Sequence, residues 1–206
     1  MRKILLILTL CLTFGVAFAQ GFNQAQALKE ISNAAASIKT MQCDFVLTKS
    51  LKMLGDKMIS KGQMWCQQPN MLRWQYNSPY TYTFILNNNK VSVKKGSRSD
   101  VIDVNKNKMF KEIARIMMNS VLGKVLTDKK DFKSSVTKKG QYYIVTLLPQ
   151  KKEMKQMFTT VLLHYDTKLK LVTKVEMREK NGDTTLIEMK NIKKNTPINA
   201  AQFKIS

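Results

Sequence analysis

The sequence predicts an α+β fold that is mostly β: a meandering antiparallel sheet or barrel, with one helix before it and another inside it. Three observations predict this. Residues 41–104 and 132–191 alternate apolar and polar side chains between regularly spaced turn residues, as short antiparallel strands do. Residues 107–126 switch to helical periodicity, and residues 23–39 do the same ahead of the first strand.

The elements follow in order. In 23–39, Ala27, Leu28, Ile31, Ala35 and Ile38 recur at three- and four-residue steps, with Asn23 placed as N-cap. The period then becomes two. Met41, Cys43, Phe45 and Leu47 alternate with Gln42, Asp44 and Thr48, although Val46 breaks the polar side. Leu54-Gly55-Asp56 signals a turn into a second strand, Lys57–Gln67, which Pro69-Asn70 ends. Met71–Tyr76 is a third, carrying Leu72, Trp74 and Tyr76 on one face. Pro79 opens a fourth with Tyr82, Phe84 and Leu86. Asn87-Asn88-Asn89 turns into a fifth that begins with Val91 and Val93, and Gly96–Arg98 turns into Val101–Val104.

The interruption at 107–126 carries Met109, Phe110, Ile113, Ile116, Met117, Val121 and Val125 as a stripe. Met118, Leu122 and Leu126 widen it beyond one clean face. A helix that apolar inside a β meander needs something to cover. Strands resume at Phe132–Thr137, Tyr142–Leu148, Phe158–Tyr165, Leu171–Glu179 and Thr184–Asn191, with Asn181-Gly182-Asp183 as a hairpin turn.

The first nineteen residues read as a cleaved secretory signal. Arg2 and Lys3 precede an apolar run from Ile4 to Phe18, and Ala17-Phe18-Ala19 is an A-x-A cleavage site. The run is too short to span a bilayer comfortably. Leu10 stands before Cys11 where a lipoprotein signal needs a small residue, so lipidation there is not expected. Residues 20–206 are then a single exported domain, long enough for a real core.

The chain holds 35 Lys+Arg against 14 Asp+Glu, a net charge of +21, which falls to +19 without Arg2 and Lys3. Such a charge favours anionic partners. Export argues against nucleic acid and leaves a transient contact with an anionic membrane surface. The lysines are also scattered, which equally describes a soluble, self-repelling surface.

Covalent chemistry finds little support. His164 is the one histidine, set in an alternating strand, so neither a metal cluster nor a Ser/His/Asp triad has its usual partners. G-x-S-x-G, P-loop and G-x-G-x-x-G motifs are absent. No enzyme activity, cofactor or metal is expected. A two-residue turn at Leu54-Gly55 would set Phe45 opposite Met64 and Cys43 opposite Cys66, a pair that a disulfide could join in an oxidising compartment. Two reduced, buried cysteines are the alternative, since one bulge destroys that register. Twelve methionines remain after the signal, and methionine suits surfaces that fit variable apolar shapes. A curved sheet roofed by the broad helix would enclose an apolar cavity with a movable cover.

At this point a family pattern emerges. Cys43-Asp44-Phe45, Gly62-Gln63-Met64-Trp65, Gln68-Pro69-Asn70-Met71-Leu72-Arg73-Trp74, Pro79, Asn89-Lys90-Val91 and Ala200-Ala201-Gln202-Phe203 together resemble the periplasmic outer-membrane lipoprotein carrier family, LolA. The Pro69–Trp74 block is the most specific part. The resemblance implies an incomplete antiparallel β-barrel, a half-barrel, with helices lidding its concave apolar face. It implies a monomeric shuttle in the periplasm that takes acylated lipoproteins from an inner-membrane lipoprotein-releasing ABC transporter to an outer-membrane acceptor. By position, Phe45, Leu47, Met64, Leu72, Trp74, Tyr82 and Phe84 would line the sheet side of the lipid-binding cavity, and Ile113, Ile116 and Met117 the lid. Some members carry an arginine before the motif proline that helps close the lid. Here it is Gln68, so that latch is weakened or missing. A carrier of another apolar ligand, such as a glycolipid or pigment precursor, would use the same half-barrel. A non-transport interaction module with an ordinary closed core is the reading from a different class.

Overall fold

The computed structural model describes residues 22–106, 115, 118, 119, 126 and 130–205. Helix α1 spans Gln24–Ser37. Six strands follow: β1 (Thr40–Leu51), β2 (Asp56–Gln67), β3 (Met71–Ser78), β4 (Tyr82–Asn87), β5 (Lys90–Lys95) and β6 (Arg98–Asp103). The second half holds β7 (Phe132–Lys139), β8 (Tyr142–Pro149), the short helix α2 (Lys152–Met157), β9 (Phe158–Asp166), β10 (Leu171–Glu179) and β11 (Thr184–Lys194). A 3₁₀ turn, Ala200–Phe203, ends the described chain's regular structure.

These strands make one open antiparallel sheet in the order β6-β5-β4-β3-β2-β1-β11-β10-β9-β8-β7. Each half is a meander of sequential neighbours, joined by short turns except between β8 and β9, where α2 makes the connection. The halves join where β11 pairs with β1, setting Phe45 against Met189 and Leu47 against Ile187. The sheet is the predicted half-barrel.

Helix α1 starts where Asn23 accepts a hydrogen bond from the Gln26 amide at 3.0 Å, which satisfies one of the helix's orphan donors. Ala27, Ile31 and Ala35 are its buried face. Two core clusters lie on the sheet. The first joins Met41, Cys43, Phe45, Met64, Leu72 and Trp74 to neighbours on β4 and β5. The second sets Ala27 and Ile31 of α1 against Val136, Val145, Leu147, Leu163 and Tyr165. Met118 belongs to the first cluster and Leu126 to the second, so two of the described residues in the region expected to cover the sheet pack against it.

One expectation is corrected. The β1–β2 turn is the four residues Lys52–Gly55, and Leu51 pairs with Asp56. The register is therefore two residues from the one a Leu54-Gly55 turn would give. Cys43 faces Met64 and Cys66 faces Met41. No disulfide joins the two buried cysteines. A shift of two preserves side-chain parity, so both thiols still point to the same face of the sheet, as diagonal rather than opposed neighbours.

The outer face has its own anchor. Arg73 lies 5.8 Å from the centre of the Trp65 ring, and its guanidinium donates to Gln75 and to the Gln202 carbonyl. Asn87 donates to the Phe203 carbonyl at 3.0 Å, and Phe203 is buried. The terminal 3₁₀ turn is thereby fixed to the backs of β3 and β4. Arg73 faces away from Trp74 and is no substitute latch for a lid on the inner face.

Candidate functional site: the inner face and its mouth

The inner face is built by strand alternation. On β1 it takes Met41, Cys43, Phe45, Leu47 and Lys49; on β2, Met58, Ser60, Gly62, Met64 and Cys66; on β3 and β4, Leu72, Trp74, Tyr76, Tyr82, Phe84 and Leu86. Phe45 pairs with Gly62, and the missing side chain there is what seats its ring. A Cβ on Gly62 would come within 2.6 Å of Phe45 Cζ and 1.9 Å of the Gln75 carbonyl oxygen. The Phe45 ring instead reaches across to Trp74 at 4.5 Å and Tyr76 at 5.2 Å between centroids, and Tyr76 meets Tyr82 at 5.8 Å. Aromatic contacts of this kind add about 0.5–1.5 kcal/mol each beyond burial. Burial pushes the Tyr76 and Tyr82 hydroxyls upward, so both stay neutral at physiological pH. Burial likewise pushes the Cys43 thiol up to about 12, with Asp44 adding to it. That thiol is a small apolar wall group and not a nucleophile.

Packing loosens toward one end. Met41, Cys43 and Phe45 are buried, whereas Leu47 and Lys49 are half-buried. At that end lies a cavity of about 280 Å³ lined by Leu47, Lys49, Met58, Ser60, Tyr76, Tyr80 and Tyr82. Lys49 crosses the inner face to Glu179 at 3.1 Å and approaches Asp183 at 3.9 Å. Thr185 donates to Glu179 at 3.1 Å, and the Lys52 amide donates to Asp183 at 2.9 Å. A second, wider opening of about 650 Å³ lies beyond that ion pair, bounded by Gln156, Met157, Phe158, Glu179, Lys180 and Asn181. The mouth thus has a mainly apolar wall at Leu47, Met58 and the tyrosines, and a mixed one at Met157 and Phe158, with a small, satisfied polar bridge between them.

Two features bear on the cover. Arg115 pairs with the buried carboxylate of Asp131, which also takes Lys151 Nζ at 2.9 Å. Gln68 donates through its backbone to the Lys39 carbonyl at 2.9 Å and through its side chain to the Ile38 carbonyl. Where a latching arginine would stand, this glutamine is committed to the C-cap residue of α1.

Of the residues expected to line a cavity, Phe45, Met64, Leu72, Trp74 and Phe84 lie together in the first core cluster. Leu47 and Tyr82 pack at its edge and line the cavity itself. Ile113, Ile116 and Met117 lie outside the described residues, as does the signal segment. Lys49, Met58, Ser60 and Tyr80 were not foreseen. Alternation from Leu47 places Lys49 on the same face, which is the signal that could have found it. His164 sits on the outer face of β9, where burial and the Lys174 charge hold its pKa below the usual histidine value. Among the described residues no cluster of three metal-ligating side chains occurs, and no helix is long and apolar enough to cross a membrane.

An open antiparallel sheet with an apolar inner wall and a loosened mouth defines the half-barrel class of carrier and binding proteins. The model of the family described as outer membrane lipoprotein carrier protein LolA matches residues 36–206, and the chain belongs to that family. No curated protein sequence matches it. Among solved structures, the fold is similar to the MucA/MucB complex of Pseudomonas aeruginosa, with TM-score 0.50, 11% identity, and coverage of 88% of this chain and 60% of that one. A LolA superfamily protein from Nitrosomonas europaea gives TM-score 0.46 at 10% identity over 89% of this chain and 98% of that one. The lipoprotein LppX of Mycobacterium tuberculosis gives 0.48 at 11% identity over 86% and 99%.

Proposed function

We propose that the exported chain, residues 20–206, is a periplasmic carrier that binds the acyl chains of lipoproteins on its inner face. It takes them from an inner-membrane lipoprotein-releasing ABC transporter and passes them to an outer-membrane acceptor. The observation that carries this reading is the cavity at Leu47, Met58, Tyr76 and Tyr82, which continues the apolar wall of the inner face in a chain of the LolA family.

The energetics call for such a wall. Each buried CH₂ contributes about 0.8 kcal/mol, so an acyl chain crossing water unprotected is strongly opposed. Shelter in a preformed but loosely packed mouth lowers that cost and still lets the cargo leave. Leu47, Met64, Trp74, Tyr82 and Phe84 serve as wall, and Ile113, Ile116 and Met117 as cover.

Mass spectrometry of the protein isolated gently from its own periplasm tests the reading. Stoichiometric acylated lipoprotein is the expected cargo. A glycolipid or pigment precursor would keep the carrier and change its job. The variant Leu47→Glu places a charge in the cavity wall and should abolish uptake of a fluorescent acyl probe while leaving the far-UV circular dichroism unchanged. Unaltered uptake would remove this cavity from the acyl path.

A further inference from the structure

The two rims of the sheet differ in chemistry. At one rim lie the β1–β2 turn, the loop from β3 to β4, the β5–β6 turn, α2 and the β10–β11 turn. Large apolar side chains stand in solvent there: Met53 at 92% exposure, Leu54 at 74%, Tyr80 at 55% and Met157 at 52%. Exposed Lys52, Lys57, Lys95 and Lys180 surround them. The carboxylates Glu179, Asp183 and Asp100 at this rim are engaged by Lys49 and Arg98, and Asp56 is exposed. The other rim is equally basic, with exposed Lys39, Lys90, Lys138, Lys139, Lys168 and Lys170, but there Leu169 and Phe22 are the exposed large apolar side chains, so the rims differ in apolar exposure and not in charge.

We infer that the Met53-Leu54 rim is a docking surface for an anionic phospholipid bilayer. Isolated exposed apolar side chains need no explanation, but four on one rim, set among lysines, do. The pairing fits a membrane interface. Apolar tips enter the acyl boundary, and each lysine near an anionic surface strengthens attachment roughly fivefold. Both openings of the inner face, at Leu47–Tyr82 and at Met157–Asn181, lie on this same rim. Docking would therefore set the mouth against lipid, so that an acyl chain moves between bilayer and cavity without crossing water. That purpose rests on the carrier reading; the surface itself does not.

The test uses the chain from Gln20, which holds every described element. Sedimentation with vesicles of phosphatidylethanolamine and phosphatidylglycerol is compared with vesicles of phosphatidylcholine alone. Stronger binding to the first, weakening as salt rises, is expected. Met53→Ser with Leu54→Ser should lower vesicle affinity by about tenfold, whereas Leu169→Ser on the opposite rim should leave it unchanged. Uptake of a fluorescent acyl probe without vesicles should be the same for all three proteins. Equal binding to both vesicle types would overturn the proposal, as would an unaffected Met53/Leu54 variant or an equal loss in the Leu169 variant. If the expected vesicle pattern holds while no form takes up the acyl probe, the docking surface stands and the carrier reading falls.

Discussion

Gly62 shows how one residue sets the geometry of the inner wall. Its hydrogen leaves the space that the Phe45 ring occupies, and any Cβ would collide with that ring and with the Gln75 carbonyl. Gly62→Ala should cost about 1–3 kcal/mol, read as a lower midpoint in urea unfolding; an unchanged midpoint would mean the strands part there freely. Cys43 makes a second prediction at this scale. Its thiol is pushed up to about 12, first by burial, against about 8.5 for an unfolded cysteine. The native state therefore holds this proton more tightly. The stability it contributes is full below about 8.5 and is lost as pH rises toward the folded value, with a slope of up to about 1.4 kcal/mol per pH unit. Cys43→Ala should flatten the alkaline fall in stability. The native protein should also resist thiol alkylation until it is unfolded, when both mature-chain cysteines react; a native protein with no reactive thiols after unfolding would restore the disulfide. Sequence placed these cysteines on one face, as the structure does, but also directly opposite each other, which the structure does not. The turn length, four residues and not two, decides the partner, and the composition of Lys52–Gly55 suits either.

Among the elements, the strands were the most legible. Alternation and turn residues marked all eleven, because a strand with one buried face writes its period directly into the chain. Helix α2 was missed: six residues, Lys152–Met157, are too few for a helical stripe to show. Arg115, in the segment expected to cover the inner face, makes a link that no periodicity reveals. Asp131 is buried and pairs with Arg115 and Lys151. Burial pushes its carboxyl up, but hydrogen bonds from Lys151 and Arg115 and their charges outweigh that and hold it below the usual range. A depressed folded value means stability that is full above the unfolded pKa of about 3.9 and lost as pH falls through the folded value. Asp131→Asn should therefore destabilise the protein at neutral pH by about 1–3 kcal/mol. The difference from the parent should vanish in strong acid, below both pKa values. A deficit that persists undiminished in acid would assign the effect to packing instead of charge.

For the whole molecule, the decisive event is the closure of two meanders on each other. β11 runs back beside β1, bringing Met189 and Ile187 next to Phe45 and Leu47. The same pairing brings Glu179 and Asp183 of the second half to Lys49 of the first. The mouth is therefore a product of both halves, and Lys49→Met should loosen the junction without removing the wall. Its half-buried, solvent-screened ion pair is worth roughly 0.2–1 kcal/mol, so acyl-probe affinity should shift within a few-fold, measured by titration. A complete loss of binding would make the bridge part of the binding surface itself.

What the amino-acid sequence determined by itself was local and periodic. Alternation at Met41–Leu47 and Leu72–Tyr76 chose strand and face, Asn23 chose where α1 begins, and Pro69–Trp74 carried the family pattern. What only the tertiary structure decided was which residues at distance meet. The register of β1 against β2 parted Cys43 from Cys66, β11 brought Glu179 to Lys49, and strand direction gathered Met53, Leu54, Tyr80 and Met157 on one rim. Periodicity reports which side of a strand faces the core. It carries no information about turn length or about which ends of a folded sheet share an edge, because those follow from how the whole chain closes.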